Sequence, residues 1–316
     1  MNTTNIETLE NRIEELKILR ELYYVPNSIE FYDDCGGLTI AEIKNDHAVA
    51  TISVKGGHLM NFRFHNQAPL LWLSPFAPLN SNKSIRGGVP VCWPWFGPHP
   101  TEPDSKPAHG FVRNAVWTVT NVQEMSGATQ ISLSLNEKDS QTSLWSYPLA
   151  LQIKIIIGAQ LQIELATCNT SNETITISEA LHTYFAVSDV SKVSIHGLEN
   201  CQYIDKVGNL ANLSRQTQDG AITIRAETDR VYLNTTADCL IEDPGFRRKI
   251  RIAKEGSQST VVWNPWIDKA DRLGDFGYQG YLHTLCIETA NAADNVITMV
   301  PGSEHRLRAV IGVEAL

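Results

Sequence analysis

One residue of this 316-residue chain that could do chemistry is a glutamate inside an apolar run. Glu288 lies in Leu-Cys-Ile-Glu-Thr-Ala at 285–290, a stretch otherwise suited to a buried strand. Burying a lone carboxylate is costly, so its side chain must face a partner or a cavity. Desolvation would raise its pKa and make it a base that works near neutral pH. The run alone favours the competing interpretation, a buried structural ion pair.

A histidine occupies a second apolar run, Glu-Ala-Leu-His-Thr-Tyr-Phe at 179–185. His182 could transfer protons there, because the pKa of an imidazole lies close to neutral pH. A histidine in such a run is more often a core residue with its hydrogen bonds satisfied. The run by itself therefore favours a structural role.

Two arginines stand beside glycines in segments rich in proline and aromatic residues. Arg86 opens Arg-Gly-Gly in the segment 85–98, and Arg113 closes His-Gly-Phe-Val-Arg at 109–113. Glycine has no Cβ and lets the backbone come close to a ligand. Two guanidinium groups from separate segments could hold a phosphate dianion through charge-assisted hydrogen bonds.

Three aromatic residues near Arg86, namely Trp93, Trp95 and Phe96, could form an apolar plate against one face of a sugar. The competing interpretation makes the aromatic residues part of the core and the arginines surface salt-bridge partners. Spacing alone favours this second interpretation, because tryptophan is mostly a packing residue.

Motifs of other chemistries are absent from the sequence. It has no glycine-rich phosphate loop, no G-x-G-x-x-G, no G-x-S-x-G elbow and no H-E-x-x-H. Nothing therefore indicates a nucleotide, a metal ion or a serine nucleophile.

The overall composition excludes further classes. The net charge of −9 disfavours general binding of nucleic acid, and the mean hydropathy of −0.18 comes without a long apolar stretch. The first ten residues lack the basic and apolar regions of a secretory signal. The six cysteines are scattered without a C-x-x-C pair, which favours reduced thiols. We expect a cytoplasmic protein with no nucleic-acid or membrane partner.

Hydrophobic periodicity predicts the elements that position these residues. Residues 6–22 carry apolar side chains three and four apart, which predicts an amphipathic helix. Beyond it, the period changes to two, and turn residues separate many short runs, which predicts an antiparallel β-sandwich. The clearest of these predicted strands are 48–54, 129–135, 152–157, 161–166, 221–225, 249–252 and 306–313.

Two segments depart from this background, 84–117 and 261–281, and long specific loops of this kind are usually functional. No composition break divides the chain. We therefore predict an N-terminal helical extension over 1–24 and one β-sandwich domain over 25–316.

Taken together, six segments in order resemble the hexose-6-phosphate mutarotases of the aldose 1-epimerase superfamily. They span most of the chain from about residue 30 onwards. The segments are I-R-G-G-V-P-V-C-W-P-W-F-G at 85–97, H-G-F-V-R at 109–113, L-H-T-Y-F at 181–185, D-R-V-Y-L-N at 229–234, W-N-P-W at 263–266 and C-I-E-T-A at 286–290.

The resemblance implies a galactose-mutarotase-like β-sandwich, no cofactor and a cleft on one sheet. It implies that His182 and Glu288 are catalytic. We predict that Glu288 removes a proton from O1 and that His182 delivers one to the ring oxygen. Arg86 and Arg113 match the ligands of the substrate's phosphate. We expect the protein to be a monomer whose partner is a hexose 6-phosphate, most simply glucose 6-phosphate.

Three further positions follow from the same resemblance. His109 matches a second active-site histidine, and Asp229 matches a residue that binds sugar hydroxyls, with Asp243 as the alternative. Many relatives carry glutamine before the histidine, and this chain carries Ala108 instead, so it lacks one polar side chain near the substrate. The alternatives to this function are a mutarotase for unphosphorylated aldoses and a non-catalytic sugar-phosphate-binding domain.

Overall fold

The computed structural model describes residues 3–26, 28–77, 84–136, 144–208 and 214–316. Helix α1 covers Thr3–Leu22 and confirms the predicted N-terminal helix. Leu16 and Leu19 pack against the main core, whereas Ile13 and Leu22 are 58% and 67% exposed. Only part of the apolar stripe is therefore covered by the sheets.

The first two sheets are small. The four-stranded one has the order β1-β2-β3-β4, and the two-stranded one pairs β10 with β21. Their strands are β1 Ile29–Asp33, β2 Thr39–Lys44, β3 Ala48–Ser53, β4 His58–Phe64, β10 Ile175–Ile177 and β21 Ile297–Met299.

The third sheet has eight strands and carries the functional cavity, so we call it the cavity sheet. Seven of its strands follow the order β15-β14-β16-β19-β20-β11-β5, and the eighth, β12, pairs with β20 outside this linear order. The strands are β5 Val91–Cys92, β11 Glu179–Leu181, β12 Tyr184–Ala186, β14 Gln202–Asp205, β15 Arg215–Thr217, β16 Thr228–Tyr232, β19 Ser259–Asn264 and β20 Thr284–Asn291.

The fourth sheet also has eight strands, in the order β13-β17-β18-β22-β9-β8-β7-β6. We call it the back sheet. Its strands are β6 Thr118–Met125, β7 Ala128–Asn136, β8 Leu149–Ile157, β9 Leu161–Asn169, β13 Ser194–His196, β17 Cys239–Asp243, β18 Arg248–Glu255 and β22 Glu304–Ala315.

One hydrophobic core joins the cavity sheet to the back sheet. Leu285 and Ile287 of β20 share it with Ile153 of β8 and Leu165 of β9, all at most 1% exposed. Every named strand pairing is antiparallel. The predicted fold class, mainly β with an N-terminal helix, is confirmed.

One predicted strand is wrong. Residues 221–225 form only an isolated bridge, in which Ile222 and Ile195 exchange backbone hydrogen bonds. Ile222 and Ile224 are buried, so the alternation reports burial of two side chains without a continuous ladder. The other six runs all correspond to named strands.

The two unusual segments, predicted as loops, contain regular secondary structure. Segment 84–117 contains β5 and a 3₁₀ turn, Val112–Asn114. Segment 261–281 contains the end of β19 and helix α2, Trp266–Leu273, which ends at Gly274 in the left-handed conformation. In the part of the chain that the structure describes, no helix is long and apolar enough to span a membrane.

Candidate active site

A cavity of about 670 Å³ opens on the face of the cavity sheet that points away from the main core. Both unusual segments contribute to it. Its lining includes Arg86, Phe96, Gly97, Ala108, His109, Arg113, His182, Tyr184, Lys206, Asp229, Val261, Trp263, Lys269, Leu273, Asp275 and Glu288. The structure thus places all six predicted site residues around one hollow.

His182 and Glu288 are in contact on the cavity wall. His182 Nε2 lies 3.3 Å from Glu288 Oε1, and the side chains are 10% and 1% exposed. Glu288 Oε2 and His182 Nδ1 are buried without a hydrogen-bond partner among the described residues. A buried carboxyl and imidazole with unused polar atoms beside a cavity form a proton-transfer pair that a ligand could complete.

Strand alternation explains the position of Glu288. On β20, Leu285 and Ile287 point into the main core, and Cys286 points to the opposite face. Because side chains alternate along a strand, Glu288 shares the face of Cys286. Its backbone pairs with Val261 of β19, so the carboxyl group stands on a central strand with neighbours on both sides.

His182 lies where the pairing with β20 is interrupted. Leu181 pairs with Thr289 and Tyr184 with Cys286, but the two residues between them leave the ladder. The His182 N–H donates instead to Pro90 O at 3.0 Å. The imidazole stacks on the Tyr184 ring, with centroids 4.8 Å apart and planes 13° apart. Stacking and the changed backbone bond fix the ring beside Glu288.

Burial and neighbouring charges shift the protonation equilibria of Glu288 and His182 toward their neutral forms. Desolvation, and then the negative charge of Asp229, raise the pKa of Glu288 well above its usual value. Desolvation, with His109, Arg113 and Arg86 adding to it, lowers the pKa of His182 well below its usual value. The pair is therefore a carboxylic acid beside a neutral imidazole.

The two predicted arginines differ in how they are held. Arg86 Nε donates to both oxygens of Asp275 at 3.1 and 3.0 Å, and its Nη1 donates to the Tyr184 hydroxyl at 3.0 Å. Arg113 Nη2 donates to Ala108 O at 2.7 Å, and its buried Nε has no partner among the described residues. Arg113, which lines the cavity, thus keeps unused donor capacity.

The glycines beside Arg86 make room for protein backbone. A Cβ on Gly87 would lie 2.5 Å from Trp72 O, and one on Gly88 would lie 2.3 Å from Leu59 O. Both residues have positive φ, 112° and 63°. The sequence-based explanation, close approach of a ligand, is therefore replaced by close approach of neighbouring segments.

His109 contacts both His182 and the glycine-rich segment that contains Arg86. Its ring centroid lies 5.7 Å from that of His182, and its Nδ1 accepts the Gly97 N–H at 3.3 Å. Desolvation, then Arg113, Lys206 and Arg86, lower the pKa of His109 to about 3. The neutral ring carries its proton on Nε2, which makes it a hydrogen-bond donor.

Asp229 lines the cavity, and Asp243 does not. On β16 the Asp229 side chain shares the face of Val231, and burial raises its pKa while Lys206 and Lys269 oppose that rise. Asp243 is fully buried and accepts the Ser188 N–H at 2.9 Å. Of the two aspartates, only Asp229 can reach a molecule in the cavity.

The proposed aromatic plate is mostly wrong. Trp93 and Trp95 are 1% and 4% exposed and belong to the main core, so only Phe96 reaches the cavity. Trp263 of the Trp-Asn-Pro-Trp motif lines the wall, with its ring centroid 5.9 Å from that of His182.

The polar lining residues that were not singled out from the sequence include Tyr184, Lys206, Lys269 and Asp275. Asp275 lies within the unusual segment 261–281, which was the available signal for it. Lys206 directly follows β14, and no pattern in the sequence distinguishes it. Within the described residues, no group of three or more His, Cys, Asp and Glu side chains could hold a metal ion.

The chain belongs to the aldose 1-epimerase family, whose sequence profile matches residues 39–312. A protein of Escherichia coli K12, provisionally named glucose-6-phosphate 1-epimerase, is 33% identical over 81% of this chain and 84% of its own length. A protein of Cenchrus ciliaris with the same provisional name is 34% identical over 83% of this chain and 80% of its own.

Solved structures extend the likeness to the fold. A protein of Salmonella typhimurium, provisionally described as a mutarotase, superimposes with a TM-score of 0.84 at 28% identity, over 96% of this chain and 99% of its own. A galactose 1-epimerase of Lactobacillus acidophilus gives 0.67 at 13% identity, over 91% and 98%, and supports the fold alone. The galactose-mutarotase-like β-sandwich is confirmed.

Proposed function

We propose that the protein interconverts the α and β anomers of a hexose 6-phosphate, with glucose 6-phosphate as the first candidate. The observation that carries this proposal is the contact of His182 with Glu288 at 3.3 Å, in a cavity that also holds Arg86 and Arg113. The names of the curated relatives support the choice of substrate.

Anomer exchange needs a proton removed from O1 and one delivered to the ring oxygen O5. Both oxygens are bonded to C1, so the two transferring groups must be close neighbours, as His182 and Glu288 are. Reversal of the two transfers closes the ring on the other face of the carbonyl carbon. No cofactor is required for this chemistry.

The charges around the pair support His182 as the partner of O5. Arg113 and Arg86 act electrostatically on His182, and Asp229 acts on Glu288. In a hexose 6-phosphate, O5 is bonded to C5, which carries C6 and the phosphate. A phosphate near the arginines therefore places O5 toward His182 and leaves O1 for Glu288.

Phosphate binding would also prepare the pair for ring opening. Desolvation, together with the charges of His109, Arg113 and Arg86, lowers the pKa of His182 and opposes the imidazolium form. A bound phosphate dianion would offset the charges of the two arginines and so raise the pKa of His182. That rise favours transfer of the Glu288 proton to His182, which would produce the base and the acid that opening requires.

Two-dimensional exchange NMR on glucose 6-phosphate and on glucose tests this proposal. We expect the wild-type protein to accelerate exchange between the anomers of glucose 6-phosphate, and His182→Ala and Glu288→Gln to abolish most of that acceleration. Faster exchange of glucose than of its 6-phosphate would favour a mutarotase of free sugars. Tight binding without exchange would favour a binding domain.

We further propose that the protein works in the cytoplasm as a monomer. All six cysteines are free, and Cys92, Cys239 and Cys286 are buried, which suits a reducing compartment. Fractionation of cells and light scattering of the purified protein would test the two statements.

A further inference from the structure

Among the described residues, two of the cations that line the cavity form no ion pair with a carboxylate, although Lys206 acts electrostatically on Asp229 and Glu288. Four cationic side chains line the cavity, and two are paired: Arg86 with Asp275, and Lys269 with Glu227 at 2.8 Å. In the described part of the chain, no carboxylate oxygen lies within 4.0 Å of the charged nitrogens of Arg113 or Lys206. An unneutralised cation in a partly enclosed hollow attracts an anionic ligand.

Lys206 is held close to the segment that carries His109. Its backbone N–H donates to Asp229 O at 2.7 Å, and its Nζ lies 5.5 Å from the centroid of the Phe96 ring. A Cβ on the next residue, Gly97, would lie 3.7 Å from that Nζ. The ammonium group therefore stands over the Phe96–Gly97 edge of the cavity.

Arg113 reaches the same segment from its other end. Its Nη2 donates to Ala108 O, and the following His109 N–H donates to Gly97 O at 2.7 Å. Ala108, whose side chain is only a methyl group, lines the cavity beside this segment. The charges of both Arg113 and Lys206 act on the neutral His109 ring, and its Nε2–H is a further donor. Two charges and one neutral donor match what a phosphate dianion needs for binding.

We propose that Lys206 is a ligand of the substrate's phosphate and, with Arg113, supplies the charge that neutralises it. This inference rests on the proposed function and adds a third cation to the predicted pair. Arg86, already neutralised by Asp275, contributes directed hydrogen-bond donors. Lys206 and Arg113 would then account for the preference for a phosphorylated sugar.

The test compares Lys206→Met with Lys106→Met, which removes one positive charge from a lysine near the cavity but outside its lining. Lys106 is already paired with Glu102 at 2.8 Å. Inorganic phosphate is titrated into each protein by calorimetry, and KM is measured for glucose 6-phosphate. We expect Lys206→Met to weaken phosphate binding and raise KM by about 10- to 100-fold, with a much smaller effect on free glucose.

Lys206→Arg, which keeps the charge, should recover most of the phosphate affinity. Unchanged phosphate binding in Lys206→Met, no phosphate binding by the wild type, or equal losses for glucose and its 6-phosphate would each overturn the proposal. A wild-type protein that binds phosphate through Lys206 but exchanges no anomers would refute the proposed function alone. An active wild type with an unaffected Lys206→Met variant would refute the Lys206 assignment alone.

Discussion

Replacing Glu288 by glutamine separates a catalytic carboxyl from a structural ion pair. The amide keeps the shape of the side chain and can still contact His182, but it cannot accept a proton. General acid–base catalysis contributes about 10²–10⁴-fold, which is about 3–5 kcal/mol of barrier. We expect turnover to fall by that factor and KM for glucose 6-phosphate to change little, because the arginines remain.

The same variant should not lose stability. Glu288 is 1% exposed and its Oε2 has no partner among the described residues, a situation that costs about 1–3 kcal/mol for a polar group. The amide keeps that cost, but it avoids a second one: at pH 7 the wild type must protonate Glu288 on folding, because the pKa of this carboxyl is raised. We therefore expect the free energy of unfolding at pH 7 to stay equal or rise by up to about 2 kcal/mol.

The pH dependence of this stability gain has a definite sign. The pKa of Glu288 is raised in the folded protein, so the wild type loses stability as pH rises from the unfolded value toward the folded one. Glutamine does not titrate. The advantage of Glu288→Gln over wild type should therefore grow as pH rises above about 4.5.

Glu179 provides a matched control for Glu288. It is also fully buried and pairs with a histidine, His305, at 2.9 Å, but it lies outside the cavity lining. Glu179→Gln should lower stability by about 1.5–3 kcal/mol and leave anomer exchange intact. Exchange NMR and urea denaturation measure both variants. Retained turnover in Glu288→Gln, or a parallel loss of stability in it, would refute the catalytic interpretation.

Three further predictions concern the phosphate, the backbone and pH. Arg113→Met should raise KM for glucose 6-phosphate by about 10- to 100-fold and spare free glucose; equal effects in the two kinetic assays would contradict the phosphate assignment. Gly110→Ala should cost more than about 4 kcal/mol in urea denaturation, because its Cβ would lie 1.7 Å from a neighbouring carbonyl oxygen. As a control, a Cβ added at Gly208 would have no atom within 4 Å, so Gly208→Ala should lower the free energy of unfolding by only about 1 kcal/mol. Similar losses in the two variants would contradict the steric argument. The hydrogen bond to Glu179 raises the pKa of His305, so their pair stabilises the fold below pH ~6.5, and that stabilisation is lost as pH rises through the folded pKa. We expect the Tm of His305→Asn, measured against pH, to lack this dependence. A variant whose Tm profile matches that of the wild type would contradict the prediction.

The alternation of apolar and polar residues predicted most of the listed strands, because it records which side chains are buried on a sheet. Residues 161–166 and 306–313, for example, became β9 and β22, which pair with each other in the back sheet. The same pattern failed at 221–225, where two isoleucines are buried without a ladder. Periodicity reports burial, and it cannot distinguish a strand from an extended segment pressed against the core.

The contact between His182 and Glu288 could not be derived from local spacing. It depends on the pairing of β12 with β20 and on the interruption beside it, which are long-range features of register. Only the resemblance of six ordered segments linked the two residues in advance. Lys206 shows the remaining limit: it lines the cavity without an ion pair to a carboxylate among the described residues, and no sequence pattern records that.

The interrupted pairing at His182 joins two supports at one residue. The N–H groups of His182 and Tyr184 bond to Pro90 O and Gly88 O, and the Tyr184 hydroxyl accepts from Arg86. The residues on either side of the interruption, Leu181 and Tyr184, pair with Thr289 and Cys286 of the strand that carries Glu288. The imidazole is therefore fixed both to the Arg-Gly-Gly segment and to the strand of Glu288, so a displacement of Arg86 would be transmitted to the contact between His182 and Glu288.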